Sequence, residues 1–328
     1  MNSIRRAVID VGTNSVKLLV ADVQGGNAHP VVEESIQTRL GKNFYETHRL
    51  QPDAIEHTAR AVADFAKIAR EKHSTSIRVF ATSAARDAAN QNDLVSAIEK
   101  ASDLKLEIIS GEQEAEWAFQ GAISGQDFAG TPLLLLDVGG GSSEFIVGHG
   151  RHKSFARSFP IGTVRLMEKF PHADPPTRDE FAKCRDWVEK FIRENVWPEL
   201  EPVLQREKNS GDVQLAGTGG TATILARMKL KSDHYDRERI EATHLSLKQV
   251  RKYLERLWSL PLAERRELPG LPKSRADVIL PGVLIYASVM ELFGFTELRV
   301  TTRGLRFAAV MASDTPAALH LAPLFNVR

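Results

Sequence analysis

Residues 133–147 read Leu-Leu-Leu-Leu-Asp-Val-Gly-Gly-Gly-Ser-Ser-Glu-Phe-Ile-Val. The leucine run is too short to cross a membrane and suits a strand buried on both faces. Gly139, Gly140 and Gly141 remove every Cβ from the turn that follows, so backbone N–H groups can come close to an anion. Asp137, just before them, can hold a hard cation. Residues 7–20 repeat the arrangement as Ala-Val-Ile-Asp-Val-Gly-Thr-Asn-Ser-Val-Lys-Leu-Leu-Val, with Asp10 in the place of Asp137. Either hairpin alone is an ordinary glycine turn. Two of them, with Asp-Val-Gly at the same point, indicate a duplicated domain whose turns face each other across a cleft. The chemistry suggested is a phosphate site with Mg²⁺.

The length of 328 residues suits two domains, each able to bury a core. The chain is 42% hydrophobic and 26% charged, a globular composition, and its net charge of +1 selects no partner. Residues 227–275 carry 13 Lys/Arg against 7 Asp/Glu, either a solvated helical face or a surface for a polyanion. The single cysteine, Cys184, excludes an internal disulfide and a thiolate-built metal site, which fits a reducing cytoplasm. Arg5 and Arg6 precede an apolar run, but Asp10 interrupts it and no cleavage site follows, so no signal peptide is expected. No apolar stretch is long enough for a transmembrane helix.

Along the chain, strands are expected at 31–38, 77–82 and 104–109, alternating with helices at 52–72 and 83–101. Such alternation implies an α/β layered domain. Ser110 followed by Gln113 is a capping-box pattern, so a helix starts there. Glu112, Glu114 and Glu116 crowd its first turns, where the helix dipole favours carboxylates without any further role. Glu114 alone shares a face with Ala118 and Gly121, small residues that suit packed structure or a cleft. Residues 125–132 look like a linker. After the central hairpin come a strand at 154–159, a short helix from 161 and a break at 171–176. Helices at 179–194 and 198–207 and a strand at 213–216 follow. The strand runs into Gly217-Thr218-Gly219-Gly220-Thr221 and then a helix at 222–228, again a place for an anion. Residues 229–243 are polar and read as a flexible loop. Helices at 245–258, 262–268 and 274–293, a strand at 298–301 and a helix at 304–312 close the chain; nothing is patterned after Pro316.

These pieces together resemble the exopolyphosphatase / guanosine pentaphosphate phosphohydrolase (Ppx/GppA) family of the actin, Hsp70 and sugar-kinase superfold. The resemblance rests on Ile-Asp-Val-Gly-Thr-Asn-Ser ending at Ser15, Ala-Thr-Ser-Ala-Ala-Arg ending at Arg86, and Ile-Ile-Ser-Gly-Glu-Gln-Glu-Ala ending at Ala115. It continues with Leu-Asp-Val-Gly-Gly-Gly-Ser-Ser-Glu ending at Glu144, Ala-Gly-Thr-Gly-Gly-Thr ending at Thr221, and Arg-Ala-Asp-Val-Ile-Leu-Pro-Gly ending at Gly282. The resemblance implies two actin-like (ribonuclease H-like) α/β domains, residues 1–126 and 127–328, with an active site between them and the last helix returning to the first. It implies Mg²⁺-dependent release of a terminal phosphate by water, with Mn²⁺ as an alternative ion. The family's catalytic glutamate falls on Glu114, its metal and phosphate-loop aspartates on Asp10 and Asp137, and its phosphate-contacting arginine on Arg86. Thr13, Asn14, Ser15, Gly139, Gly140, Gly141, Ser142 and Ser143 then cradle phosphate. Glu144 assists metal or water, and Gly217, Thr218, Gly219, Gly220 and Thr221 take a more distal part of the substrate.

Two departures stand out. Gln113 replaces the first acid of the family's usual pair, and Thr-Thr-Arg-Gly-Leu-Arg, ending at Arg306, replaces the usual Ser-Asp-Gly-Ala-Leu-Arg. Longer relatives carry further C-terminal domains; without them, processive handling of long chains is not expected. The substrate implied is inorganic polyphosphate, with pppGpp as the alternative, no specific nucleic acid, no membrane and a homodimer by family analogy. A sugar or metabolite kinase of the same superfold and a non-catalytic sensor of pppGpp or polyphosphate are the competing classes.

Overall fold

The computed structural model describes residues 3–125, 128, 130–209 and 211–312. Part of the expected linker and the tail after Pro316 lie outside these. The first lobe contains β1 (Ile4–Val11), β2 (Val16–Gln24), β3 (Asn27–Ile36), α1 (Pro52–Glu71), β4 (Ser76–Ala81), α2 (Ser83–Arg86), α3 (Gln91–Ser102), β5 (Leu106–Ile108) and α4 (Gly111–Ile123). Its sheet runs β3-β2-β1-β4-β5; β1, β2 and β3 form an antiparallel meander, and β4 and β5 add in parallel.

The second lobe begins with β6 (Pro132–Val138), β7 (Ser143–His149) and β8 (His152–Phe159), then α5 (Thr163–Lys169), α6 (Arg178–Phe191) and α7 (Trp197–Lys208). It continues with β9 (Gln214–Thr218), α8 (Gly219–Leu230), α9 (Arg237–Glu241), β10 (His244–Ser246), α10 (Leu247–Ser259), α11 (Leu262–Arg265), α12 (Ile279–Phe293), β11 (Glu297–Val300) and α13 (Leu305–Met311). Its sheet runs β10-β11-β9-β6-β7-β8. Read from β8, this is the first sheet again: an antiparallel meander, two parallel strands, and β10 as an added antiparallel edge. The duplication expected from the paired hairpins is therefore one of whole sheets.

Strand alternation explains how the two turns come to share a space. In β1, Ala7, Ile9 and Val11 face the core under α1 and α3, whereas Val8 faces the opposite side. In β6, Leu134, Leu136 and Val138 enter the large core of the second lobe, while Leu133 and Leu135 face away from it. The leucine run is thus buried on both sides, as its composition requires. By the same period, Asp10 lies on the face of Val8 and Asp137 on the face of Leu135. Helix α4 covers both faces: Trp117 packs with Val8 and Phe80, and Ala115, Ala118 and Phe119 pack with Leu133, Leu135 and Ile146. The α4 helix is therefore a wedge between the sheets, and α13 returns from the second lobe to pack Phe307 and Val310 beside it.

Three details differ from the sequence expectation. The helix expected over 83–101 is two helices, because the Asn90 side chain accepts from Leu50 N (2.8 Å) and donates to Leu50 O (3.1 Å), drawing the chain out of register. The loop expected at 229–243 contains α9, capped by the Asp236 side chain and anchored by buried Ile240. The long helix expected from 274 starts at Ile279, after a single tight turn at Lys273–Arg275. Among the described residues, no helix is long and apolar enough to cross a membrane.

Candidate active site

The two turns have the same internal bond. Gly12 N donates to Ser15 O at 3.0 Å, and Gly139 N to Ser142 O at 2.9 Å. Each turn is then held by its own lobe. Thr13 O and Asn14 O accept from Gly41 N and Arg39 N, while Gly139 O and Gly140 O accept from the first amides of α5. The turns also touch each other. A Cβ on Gly140 would lie 2.8 Å from Thr13 Cβ, so glycine here permits contact between the lobes as well as access to an anion.

Between the turns lies a cavity of about 130 Å³. Asp10, Glu114, Asp137 and Glu144 line it, as do Lys17, Arg275 and Arg306. Glu114 is on the first turn of α4, whose N-cap is Ser110, with its hydroxyl accepting from Gln113 N. Arg86 Nη1 donates to Glu114 Oε2 at 3.0 Å and to Ile109 O at 3.1 Å. The Glu144 carboxylate accepts from Ser142 Oγ (2.8 Å) and Ser158 Oγ (2.7 Å) and is 2% exposed. Lys17 Nζ is 4.0 Å from Asp10 Oδ2, directly across the hairpin. Gly219, at φ +79°, opens α8, and a Cβ there would fall 2.3 Å from Asp137 Oδ1. The Asp137 carboxylate thus lies against the positive end of that helix.

Four carboxylates around one small cavity disfavour their own ionisation. Burial pushes Glu114 up to about 7, against the opposing pull of Arg86. Burial also raises Asp137 to about 6, with Lys17 lowering it and Asp10 adding to the rise. Glu144 is raised well above its ordinary value by burial and by Glu114 and Asp137, and burial raises Asp10 despite Lys17 and Arg306. Lys17 and Arg275 are shifted the other way, downward, chiefly by burial. Two donors on the cavity wall, Asn14 Nδ2 and Ser15 Oγ, are buried with no hydrogen-bond partner among the described residues.

Of the residues singled out in the sequence, Asp10, Thr13, Asn14, Ser15, Glu114, Asp137, Gly139, Gly140, Gly141, Ser142, Glu144, Thr218, Gly219, Gly220 and Thr221 all line this cavity. Three do not. Ser143 is the first residue of β7, so it faces away from Glu144; its Oγ donates to Ile161 O at 2.6 Å and is fully buried. Gly217 is inside β9, packed against Tyr286 and Ala222. Arg86 lies beside the cavity in an adjoining groove, engaged with Glu114 rather than offering a free fork. Lys17, Thr82, Ser83 and Thr302 are additional lining residues that sequence reasoning missed. Lys17 had a readable signal, since it faces Asp10 in a two-strand register. Of the basic stretch at 227–275, only Arg275 reaches the cavity; Arg227 and Lys229 bond to nearby carbonyls of their own lobe.

The lobes are fastened across the cavity mouth. On α5, Glu168 accepts from Tyr45 N (2.9 Å) and Phe44 N (3.4 Å) of the first lobe. Arg165 stacks 4.1 Å over the Tyr45 ring, and Arg39 pairs with Asp277 at 2.7 Å. On the other side, Glu33 of β3 pairs with both Arg237 and Arg306.

The profile of the Ppx/GppA phosphatase family matches residues 19–313. Exopolyphosphatase 2 of Mycobacterium tuberculosis is 35% identical over 313 residues, covering 90% of this chain and 94% of that protein. A crystal structure of the Aquifex aeolicus Ppx/GppA family member is 30% identical and superposes with a TM-score of 0.75 over 94% of this chain and 97% of that one. The crystal structure of an exopolyphosphatase from Cytophaga hutchinsonii superposes at 0.81, with 27% identity, over 93% of this chain and 96% of that one. With its duplicated sheets and the cavity between their turns, the chain belongs to the Ppx/GppA phosphatase family, a family of phosphoanhydride hydrolases.

Proposed function

We propose that this protein releases orthophosphate from the ends of inorganic polyphosphate, with Glu114 as the base that activates water. The observation that carries the reading is the position of Glu114: a carboxylate, held by Arg86, on the wall of a cavity built from two glycine turns. A pKa near 7 is matched to taking a proton at neutral pH. The name of the mycobacterial relative supports polyphosphate as the substrate.

Phosphoryl transfer to water needs positioning and charge neutralisation more than covalent help. The terminal phosphate sits between the turns, where Asn14 Nδ2 and Ser15 Oγ lack protein partners. Glu114 takes a proton from water as the new O–P bond forms. The bridging P–O bond breaks, and its electron pair stays on the terminal oxygen of the shortened chain. Lys17, Arg275 and Arg306 offset that charge.

The donor set also suits a small divalent ion. Asp10 and Asp137 are carboxylates on the wall of one cavity, one from each turn, although among the described residues no group of three or more His, Cys, Asp or Glu side chains could hold a metal by itself. Two carboxylates that share an ion with phosphate oxygens and water is how Mg²⁺ is commonly held. Asp10 and Asp137 would hold it, and when bound it supplies positive charge to the phosphate oxygens.

The test is phosphate release from short polyphosphate, long polyphosphate, pppGpp and ATP in Mg²⁺. Release from polyphosphate should dominate. Release from pppGpp alone would move the substrate to the nucleotide, and phosphate transfer to an added sugar would move the protein to the kinases.

A further inference from the structure

Beside the catalytic cavity lies a second and larger hollow, a groove of about 560 Å³. Ser83 and Ser142 line both, so the two spaces adjoin. Their charged linings do not overlap. Lys17, Arg275 and Arg306 belong to the cavity, whereas Arg86, Arg157 and Arg165 belong to the groove. Glu114 stands at the division, with its carboxylate on the cavity wall and its partner Arg86 on the groove wall.

In-line displacement gives these two sides different jobs. The attacking and leaving oxygens lie opposite each other on the transferred phosphorus. If Glu114 activates the water, the side of Glu114 is the side away from the polyphosphate chain. The groove is on that side. From this geometry, and resting on the proposed hydrolase reading, we infer that the groove is the port through which water enters and orthophosphate leaves, while the shortened chain stays in the cavity.

The charges of the groove fit a passage better than a holding site. Each arginine already has a carboxylate: Arg86 has Glu114 at 3.0 Å, Arg165 has Asp87 at 3.3 Å, and Arg157 has Glu199 at 3.1 Å. Glu112 also lines the groove. The three guanidinium charges draw phosphate in, and the acids already paired with them keep its residence short. A site for a long polyanion would present unpaired cations instead. Arg157 is the outermost of the three, with its side chain 56% exposed, against 24% for Arg86 and 20% for Arg165. It stands on β8, next to Ser158, whose hydroxyl bonds Glu144. The groove is thereby linked to the cavity wall at a second point.

The experiment uses Arg157→Glu, with Arg157→Lys as the conservative control. Arg157 touches neither the cavity nor any residue given a chemical role, and its exposure makes the fold tolerant of change. Where product release limits turnover, Arg157→Glu should slow steady-state turnover about threefold to tenfold. A single turnover followed by rapid quench should be unchanged, and so should kcat/KM for long polyphosphate, with KM falling in step with kcat. A fluorescent phosphate sensor should show the delay between cleavage and release, and Arg157→Lys should remove most of it. A rise in KM for long chains with release unaltered would make the groove a chain subsite and overturn the inference. Unaltered release and unaltered KM would overturn it as well. Titration of inorganic phosphate followed by ³¹P line width separates this idea from the hydrolase reading. The parent should show a weak site that Arg157→Glu loses, even if no polyphosphate is cleaved.

Discussion

The two hairpins share strand order, turn and aspartate, yet they differ at one register position. Opposite Asp10 stands Lys17, and opposite Asp137 stands Glu144. The first turn is therefore close to neutral and the second is acidic. The first also presents the unpartnered donors of Asn14 and Ser15, while the second presents Asp137 beside the N-terminus of α8. On the proposed reading, in which Asp10 and Asp137 hold the ion together, this one difference of charge tilts the shared site: Lys17 favours phosphate oxygens on the first side and Glu144 favours the cation on the second. The proposed base, Glu114, belongs to neither cradle. It comes from α4, the wedge between them.

If that division is right, removing the proposed base, Glu114, should have the largest effect, because the hairpin acids already have other work. Glu114→Gln keeps the hydrogen bond from Arg86 and loses only the ability to take a proton. We expect turnover to fall about 10²–10⁴-fold with substrate affinity near the parent value. Activity within tenfold of the parent would return the role to one of the hairpin acids.

Next in size is a test of how closely the cradles meet. A methyl on Gly140 would press against Thr13 of the opposite lobe at 2.8 Å, whereas one on Gly12 would meet Ser15 O of its own turn at 3.1 Å. Gly140→Ala should therefore hold the lobes apart. Displacement by about 1 Å costs roughly 10²-fold in turnover. Gly12→Ala should cost less, since the strain stays in one turn. Equal losses would mean that contact between the turns does not set the geometry. Reading the two rates side by side, with melting temperature as a control for folding, decides the point.

The charge difference itself should give effects of about tenfold, the scale of one charged hydrogen bond. Glu144→Gln should raise the Mg²⁺ concentration needed for half-maximal rate and leave KM for polyphosphate nearly unchanged. Lys17→Met should do the reverse. Titrating each ligand at saturation of the other separates the two. If both variants shift both titrations alike, the cradles share one job.

Much of this is legible in the sequence. The leucine run reads as a strand buried on both faces, and β6 is one. The paired Asp-Val-Gly turns implied the cleft, and helical spacing isolated Glu114 from Glu112 and Glu116. What failed did so for identifiable reasons. Ser143 reads as a loop hydroxyl because the apolar run begins only at Phe145; β7 in fact starts at Ser143, and period two points its hydroxyl at Ile161 O. Arg86 stands in the adjoining groove with its guanidinium on Glu114, a partner that a sequence motif does not name. The bonds from Tyr45 N and Phe44 N to Glu168 join residues more than 120 positions apart, and no local pattern encodes them. The glycines had a second reason that sequence could not show, because the atom Gly140 must avoid belongs to the other lobe.

The smallest expected effect concerns stability, and its sign follows from the raised acids. Glu114 titrates at about 7 when folded against an ordinary 4.5, and Asp137 at about 6 against 3.8. Between the ordinary and the folded values, the unfolded chain has already lost protons that the folded chain still holds. These groups therefore take stability away as pH rises from about 4 towards 7, opposite to a carboxylate fixed by a strong ion pair. Removing one such charge should relieve the cost only where the charge exists. Glu114→Gln should melt about 2 °C or more above the parent at pH 8, on the scale that one kcal/mol moves a domain of this size. At pH 5, where Glu114 is protonated, the two should melt together. Added Mg²⁺ should narrow the gap at pH 8 by balancing the same cluster. A melting difference that is the same at both pH values would show that Glu114 ionises like an exposed glutamate, and the poise attributed to the wedge helix would be lost with it.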